Sequence, residues 1–167
     1  ITLFSEKPCS AVIVYKGEGP CVSGKNISLG AIVGFKVMRK DSLEEPVIFL
    51  KDCYLKIEKC EVTGGFMCGL AVEGGAIECK ECKIYDNRGS GIVLTGGKHK
   101  ILHCKVERNK RGIEVLEGSE IEVENTQVNG NKEIGIYISN STGKLEKNEI
   151  TNNGKAGLRI ETGKNIL

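Results

Sequence analysis

Apolar positions recur along this chain with a period of twenty-two residues. Taking Cys60 as zero, position +2 reads Val62, Ile84, Val106, Val128 and Ile150, and position −3 reads Ile57, Cys79, Ile101, Val123 and Leu145. The zero column continues as Cys82, Cys104, Thr126 and Asn148. Position +5 reads Gly65, Asn87, Asn109, Asn131 and Asn153, and glycines follow at Gly69, Gly91, Gly112, Gly135 and Gly157. After each glycine comes an apolar, any, apolar triplet: Leu70/Val72, Ile92/Leu94, Ile113/Val115, Ile136/Ile138 and Leu158/Ile160. That is the two-residue period of a half-buried strand. Self-similarity at a fixed period means coils that bury their apolar faces on one another. Two short strands per coil are predicted, joined by turn clusters such as Asn140-Ser-Thr-Gly143 that are too short and glycine-rich for a helix.

Two repeat architectures have this length. Leu55-x-Ile57-x-x-Cys60-x-Val62 satisfies the core of a leucine-rich repeat, but that repeat continues as helix or 3₁₀ segment, whereas here a second strand follows. The better fit is an all-β, right-handed parallel β-helix solenoid, since strand crossovers are right-handed. The outward column at −4 supports it, reading Lys56, Glu78, Lys100, Glu122 and Lys144. Alternating sign suits vertical neighbours about 4.8 Å apart and fixes the register. The asparagine column is read as structural: asparagine tolerates left-handed turn geometry, and stacked amides bond from coil to coil.

Upstream the register loosens. Val47–Leu50 fills the glycine-strand slot one repeat before Gly69, Ile32-x-x-Phe35-x-Val37 fits the other strand, and Ala11–Tyr15 and Ile27–Leu29 are strand-like. The expectation is one domain over residues 1–167, with regular repeats over 45–167, looser coils over 1–44, and about seven coils in all. Ile1 opens the chain in place of Met, and Leu167 falls in mid-strand, twenty-two residues after Leu145, so a segment of a longer protein is expected.

Composition narrows the function classes. Twenty-four basic residues against 22 acidic leave a charge of +2, and no long basic run marks a nucleic acid or an anionic membrane as partner. No apolar stretch approaches the roughly 18 residues of a membrane span, so a soluble chain is expected. Of the eight cysteines, Cys60, Cys82 and Cys104 share one repeat position, which reads as packing; stacked thiols stand too far apart for a disulfide. A reducing, cytoplasmic compartment follows as an expectation.

Asn148-x-Ile150-x-x-Asn153-x-x-x-Gly157-Leu-x-Ile160 resembles the β-helix repeat of the pectin-lyase-like superfamily, over about residues 45–167. That superfamily divides into secreted polysaccharide lyases and hydrolases and intracellular recognition β-helices, such as Shc-binding spindle-associated and F-box proteins. The resemblance to the second branch implies a protein-binding module, with no contact residue transferable from the repeat.

The family's polygalacturonate-cleaving enzymes imply clustered aspartates, yet only Asp41, Asp52 and Asp86 occur, on different coils. Glu120, Glu122 and Glu124 form an outward cluster read as a solvated face, and Asp86 with Arg108 reads as a ladder rung. Cys79-Lys-Glu-Cys82 lacks the second C-x-x-C of a zinc site, and His99, His103 and Cys104 do not form a ligand set on this spacing. No catalytic residue, metal or cofactor is assigned. The candidate contact surface is the outward column of the glycine strand: Phe49, Ala71, Val93, Glu114, Tyr137 and Arg159. It is the most apolar outward column, and Tyr and Arg are favoured interface anchors. The expected function is a non-catalytic scaffold for protein partners; the alternative is a carbohydrate-active enzyme or binding module, with Tyr137 as a stacking platform.

Overall fold

A computed structural model describes residues 1–162; the expectation for Leu167 lies outside the described residues. Among the described residues twenty-one strands form three parallel sheets of seven, each coil giving one strand to each sheet. Every strand pair among those residues is parallel and joins neighbouring coils, as Lys56 to Glu78, Glu78 to Lys100, Lys100 to Glu122 and Glu122 to Lys144 illustrate. The chain winds as a right-handed β-helix of seven coils. The side chains at Ile48, Leu70, Ile92, Ile113 and Ile136 meet in the interior with those at Ile57, Ile101 and Val123, all essentially inaccessible to water.

The expectation of two strands per coil is corrected to three. Leu55–Val62, read as one strand, is two: Tyr54–Glu58 in the first sheet and Glu61–Thr63 in the second. Between them Lys59 adopts a left-handed backbone with φ of 52°. Glu81, His103, Asn125 and Lys147 repeat that bend on the following coils, at φ of 54°, 54°, 49° and 51°. Lys, Glu and His rarely sit there, because the Cβ crowds the following carbonyl. The bend is imposed by the inward strands on either side.

This corner also gives the cysteine column a function beyond packing. Where the chain turns, the backbone N–H of the zero position leaves the ladder and needs another acceptor. The zero side chain of the next coil supplies it. Cys60 N–H donates to Cys82 Sγ at 3.4 Å, Cys104 N–H to Thr126 Oγ1 at 3.2 Å, and Thr126 N–H to Asn148 Oδ1 at 2.9 Å. Thiol, hydroxyl and amide thus serve as interchangeable acceptors. The thiols donate in turn to carbonyls, Cys82 to Ile57 O at 3.3 Å and Cys104 to Cys79 O at 3.4 Å. All eight cysteines are free.

The asparagine column caps the second corner, between the second and third sheets. Gly65 N–H donates to Asn87 Oδ1 at 2.8 Å, and Nδ2 of Asn87, Asn109 and Asn131 donates to the next Oδ1 at 2.9, 3.2 and 2.9 Å. The left-handed residue, expected to be the asparagine, is its predecessor: Gly64, Asp86, Arg108, Gly130 and Asn152 have positive φ. Asparagine is there for its paired donor and acceptor. The glycine column lies beside it, because a Cβ on Gly91 would stand 2.8 Å from Asn109 Nδ2 and 2.7 Å from Val106 Cγ1.

Upstream, Ile32 and Phe35 fall on different strands, Gly30–Val33 and Phe35–Arg39, separated by Gly34 at φ of 79°. Ile27–Leu29 is a corner, not a strand, with Ile27 packed against the core. The longer loops of these coils are tied together by Arg39, whose side chain is fully buried. It bonds Asp41 Oδ1 at 2.6 Å and the Gly19 carbonyl at 2.6 Å, while Gly17 N–H donates to Asp41 Oδ2 at 2.8 Å.

Candidate functional site

The third sheet places the predicted contact column in one register line. Phe49 pairs with Ala71, Ala71 with Val93, Val93 with Glu114, Glu114 with Tyr137 and Tyr137 with Arg159. The column changes character along the axis. Phe49 and Val93 are half-buried around a buried Ala71, which gives an apolar stretch on three coils. From Glu114 onward the column is bound into a polar network instead. Ser90 donates to Glu114 Oε1, and Arg111 Nη1 donates to Glu114 Oε2 at 2.8 Å. Arg111 Nε reaches Glu133 Oε2 at 3.1 Å, and its guanidinium lies 5.6 Å over the Tyr137 ring. Tyr137 donates to Glu161 Oε2 at 2.6 Å, beside the Arg159–Glu161 ion pair.

This differs from a uniformly apolar strip. Arg111 and Glu133 belong to the preceding turns, where a strand column does not reveal them. Glu133 and Glu161 are held below the usual carboxylate range, the first mainly by Lys155 with Arg111, the second mainly by Tyr137 with Arg159.

Beside this column is a depression of about 570 Å³, lined by Phe66, Met67, Arg88, Lys110, Arg111 and Glu114 among others. A larger groove of about 810 Å³ runs along the first sheet, between the column of Tyr54, Lys98 and Glu120 and that of Glu78, Lys100 and Glu122. The repeat pattern marks neither hollow, because each forms only where neighbouring columns of different coils come together. The groove's charges are mutually satisfied in part, with Lys98–Glu120 at 2.8 Å and Lys100–Glu122 at 2.7 Å. Of the alternating column, this last rung closes as an ion pair, while Lys144 turns to Glu146 at 3.1 Å. Lys100 holds the Glu122 carboxyl below its usual range. Asp86 and Arg108 form the expected rung, with Arg108 Nε at 2.8 Å and Nη2 at 3.1 Å from the carboxylate.

His99 and His103 part company in space. His99 is buried beneath the groove, accepting from Ile77 N–H at Nδ1 at 3.3 Å and bonding the Gly96 carbonyl through Nε2 at 2.7 Å. Two such partners assign the neutral Nε2–H tautomer, and burial pushes the imidazole pKa down against the Gly96 bond. His103 occupies a left-handed corner. Cys79 and Cys82 are both buried; on the third sheet, burial pushes the Cys68 thiol up to about 12, with the Glu114 carboxylate adding to the effect. Among the described residues no group of three or more His, Cys, Asp or Glu is placed to hold a metal ion, and no helix is long and apolar enough to cross a membrane.

Neither the curated proteins nor the solved structures contain a match to this chain. A family model described as "Right handed beta helix region" matches residues 46–167, and the chain belongs to that family.

Proposed function

We propose that this β-helix is a non-catalytic recognition module that presents the third-sheet face to protein partners inside the cell. The observation that carries the reading is the single-register column of Phe49, Val93, Glu114, Tyr137 and Arg159, which combines a half-buried apolar stretch with aromatic and arginine anchors. Its Glu114, Tyr137 and Arg159 are held by neighbours, so little side-chain freedom is lost on binding.

The carboxylates favour this reading over glycoside hydrolysis. A hydrolase acid needs a raised pKa. The displaced carboxylates among the described residues, Asp41, Glu107, Glu122, Glu133 and Glu161, all move downward. Burial opposes that direction at Asp41 and Glu107 but is outweighed by hydrogen bonds and basic neighbours. The free-thiol interior favours a reducing compartment.

The experiment pairs affinity capture with glycan turnover. Val93→Glu and Tyr137→Ala should each remove partners that the unaltered chain retains, and polygalacturonate and related glycans should stay intact. Turnover abolished by changing Glu120 or Glu122 would reject the module in favour of a carbohydrate-active protein, the second reading, which the groove along the first sheet supports. Unchanged capture by both variants would reject the third-sheet face.

A further inference from the structure

Among the described residues no outward strand column places three like charges on successive coils. The first-sheet column alternates from Lys56 to Lys144, and the second-sheet column runs Lys36, Glu61, Lys83, Lys105, Gln127, Glu149. Like charges stacked about 4.8 Å apart repel, and mixing the signs avoids that cost. The turn that follows the asparagine ladder breaks the rule. Asn87, Asn109 and Asn131 are each followed by an exposed cation: Arg88, Lys110 and Lys132. The stacked asparagines hold these residues on successive coils, so the three cations form a ridge down one edge of the solenoid. Among the described residues none of the three has an ion-pair partner, although acidic residues pair with other cations nearby, Asp86 with Arg108 and Glu133 with Lys155 and Arg111.

The ridge borders an apolar foothold. Phe66 occupies the same turn position one coil earlier, and the Arg88 guanidinium lies 5.4 Å over its ring. Met67 beside it is 49% exposed. Phe66, Met67, Arg88 and Lys110 all line the 570 Å³ depression that adjoins the predicted contact column. A row of cations without ion-pair partners, leading to Phe66 and Met67 in a mixed hollow that also holds Arg111, Glu114 and Glu44, has the chemistry of a site for an acidic segment with an apolar end.

We propose that the ridge of Arg88, Lys110 and Lys132 docks an extended acidic peptide of a partner protein, with an apolar residue of that peptide seated on Phe66 and Met67. The assignment rests on the recognition reading and names the chemistry of one partner segment. Two coil steps span about 9.6 Å, and an extended peptide rises about 3.3 Å per residue. About four residues therefore cover the ridge, and the long Lys and Arg stems absorb the mismatch between the two repeats. Three cations on a solvated edge give an attraction that salt screens strongly.

The test uses the whole chain and a fluorescein-labelled peptide of four glutamates followed by Leu-Phe, read by anisotropy. Binding should weaken at least tenfold between 50 and 300 mM salt. The same loss is expected in R88E/K110E/K132E and in the neutral R88Q/K110Q/K132Q, both retaining the strand signature in circular dichroism because these side chains are exposed and unpaired. A glutamine version of the peptide should not bind. Absence of binding to the unaltered chain, or equal binding by either triple variant, would overturn the proposal. An oligothymidylate of equal charge binding as tightly as the peptide would overturn it in favour of a general polyanion site. Loss of partner capture in Val93→Glu would persist if only the ridge assignment fails, and would vanish with it if the recognition reading itself is wrong.

Discussion

Replacing Asn109 by alanine should be among the most damaging single changes available outside the apolar core. Asn109 is fully buried, and its Oδ1 accepts from Asn87 N–H at 3.1 Å and from Asn87 Nδ2 at 2.9 Å. Its Nδ2 donates to Ile84 O at 3.2 Å and Asn131 Oδ1 at 3.2 Å. Asn131 Oδ1 keeps a donor after truncation, because Asn109 N–H still reaches it at 3.0 Å. The two Asn87 donors do not. Each buried donor left without a partner costs about 1–3 kcal/mol, so the change should destabilise the fold by about 3–4 kcal/mol. At a typical urea slope of about 2 kcal/mol per molar, the midpoint should fall by roughly 1.5–2 M with the slope unchanged. Asn153, at the end of the ladder and only half-buried, is the internal comparison. Removing its Oδ1 leaves Asn131 N–H and Nδ2 nearer to solvent, which can replace the bonds, so Asn153→Ala should lose about 1 kcal/mol. Equal midpoint shifts for the two variants would refute the argument that buried bonding, and not the asparagine type itself, holds this corner.

Acid should weaken the fold through His99. Its folded pKa lies below the unfolded value of about 6.5, so stability present above that value is lost as pH falls through it. Unfolding midpoints should therefore drop from pH 7 to pH 5, and His99→Gln should flatten that slope. Gly91→Ala should destabilise by about 1–3 kcal/mol by overpacking against Val106 and Asn109. Gly118→Ala, at φ of 76° with nothing within 4 Å of the new methyl, should cost about 1 kcal/mol from backbone strain alone; thermal melts of the two variants separate the causes. A thiol reagent on the native chain should label only Cys9 and Cys21 within minutes, and the six buried cysteines only after unfolding, as peptide mapping of the labelled chain would reveal.

Much of this molecule was legible in its sequence because coils of equal length superimpose equivalent positions. Apolar columns such as Val62, Ile84 and Val106 had one place to go, and alternation from Lys56 to Lys144 marked neighbours in space. The amino-acid sequence alone thus determined the solenoid, its period, its number of coils and the outward column of the third sheet. The tertiary structure decided what depends on direction within a coil. Lys59, Glu81 and His103 bend the chain against their own preference, since flanking strands gain more by turning inward than one residue loses in the left-handed region. The same closure turns cysteine, threonine and asparagine into equivalent caps for a backbone N–H that no propensity locates. It also gathers Arg88, Lys110 and Lys132, twenty-two residues apart along the chain, onto one edge. Period is a property of the sequence; which way each corner faces is settled only when all three sheets close around a common interior.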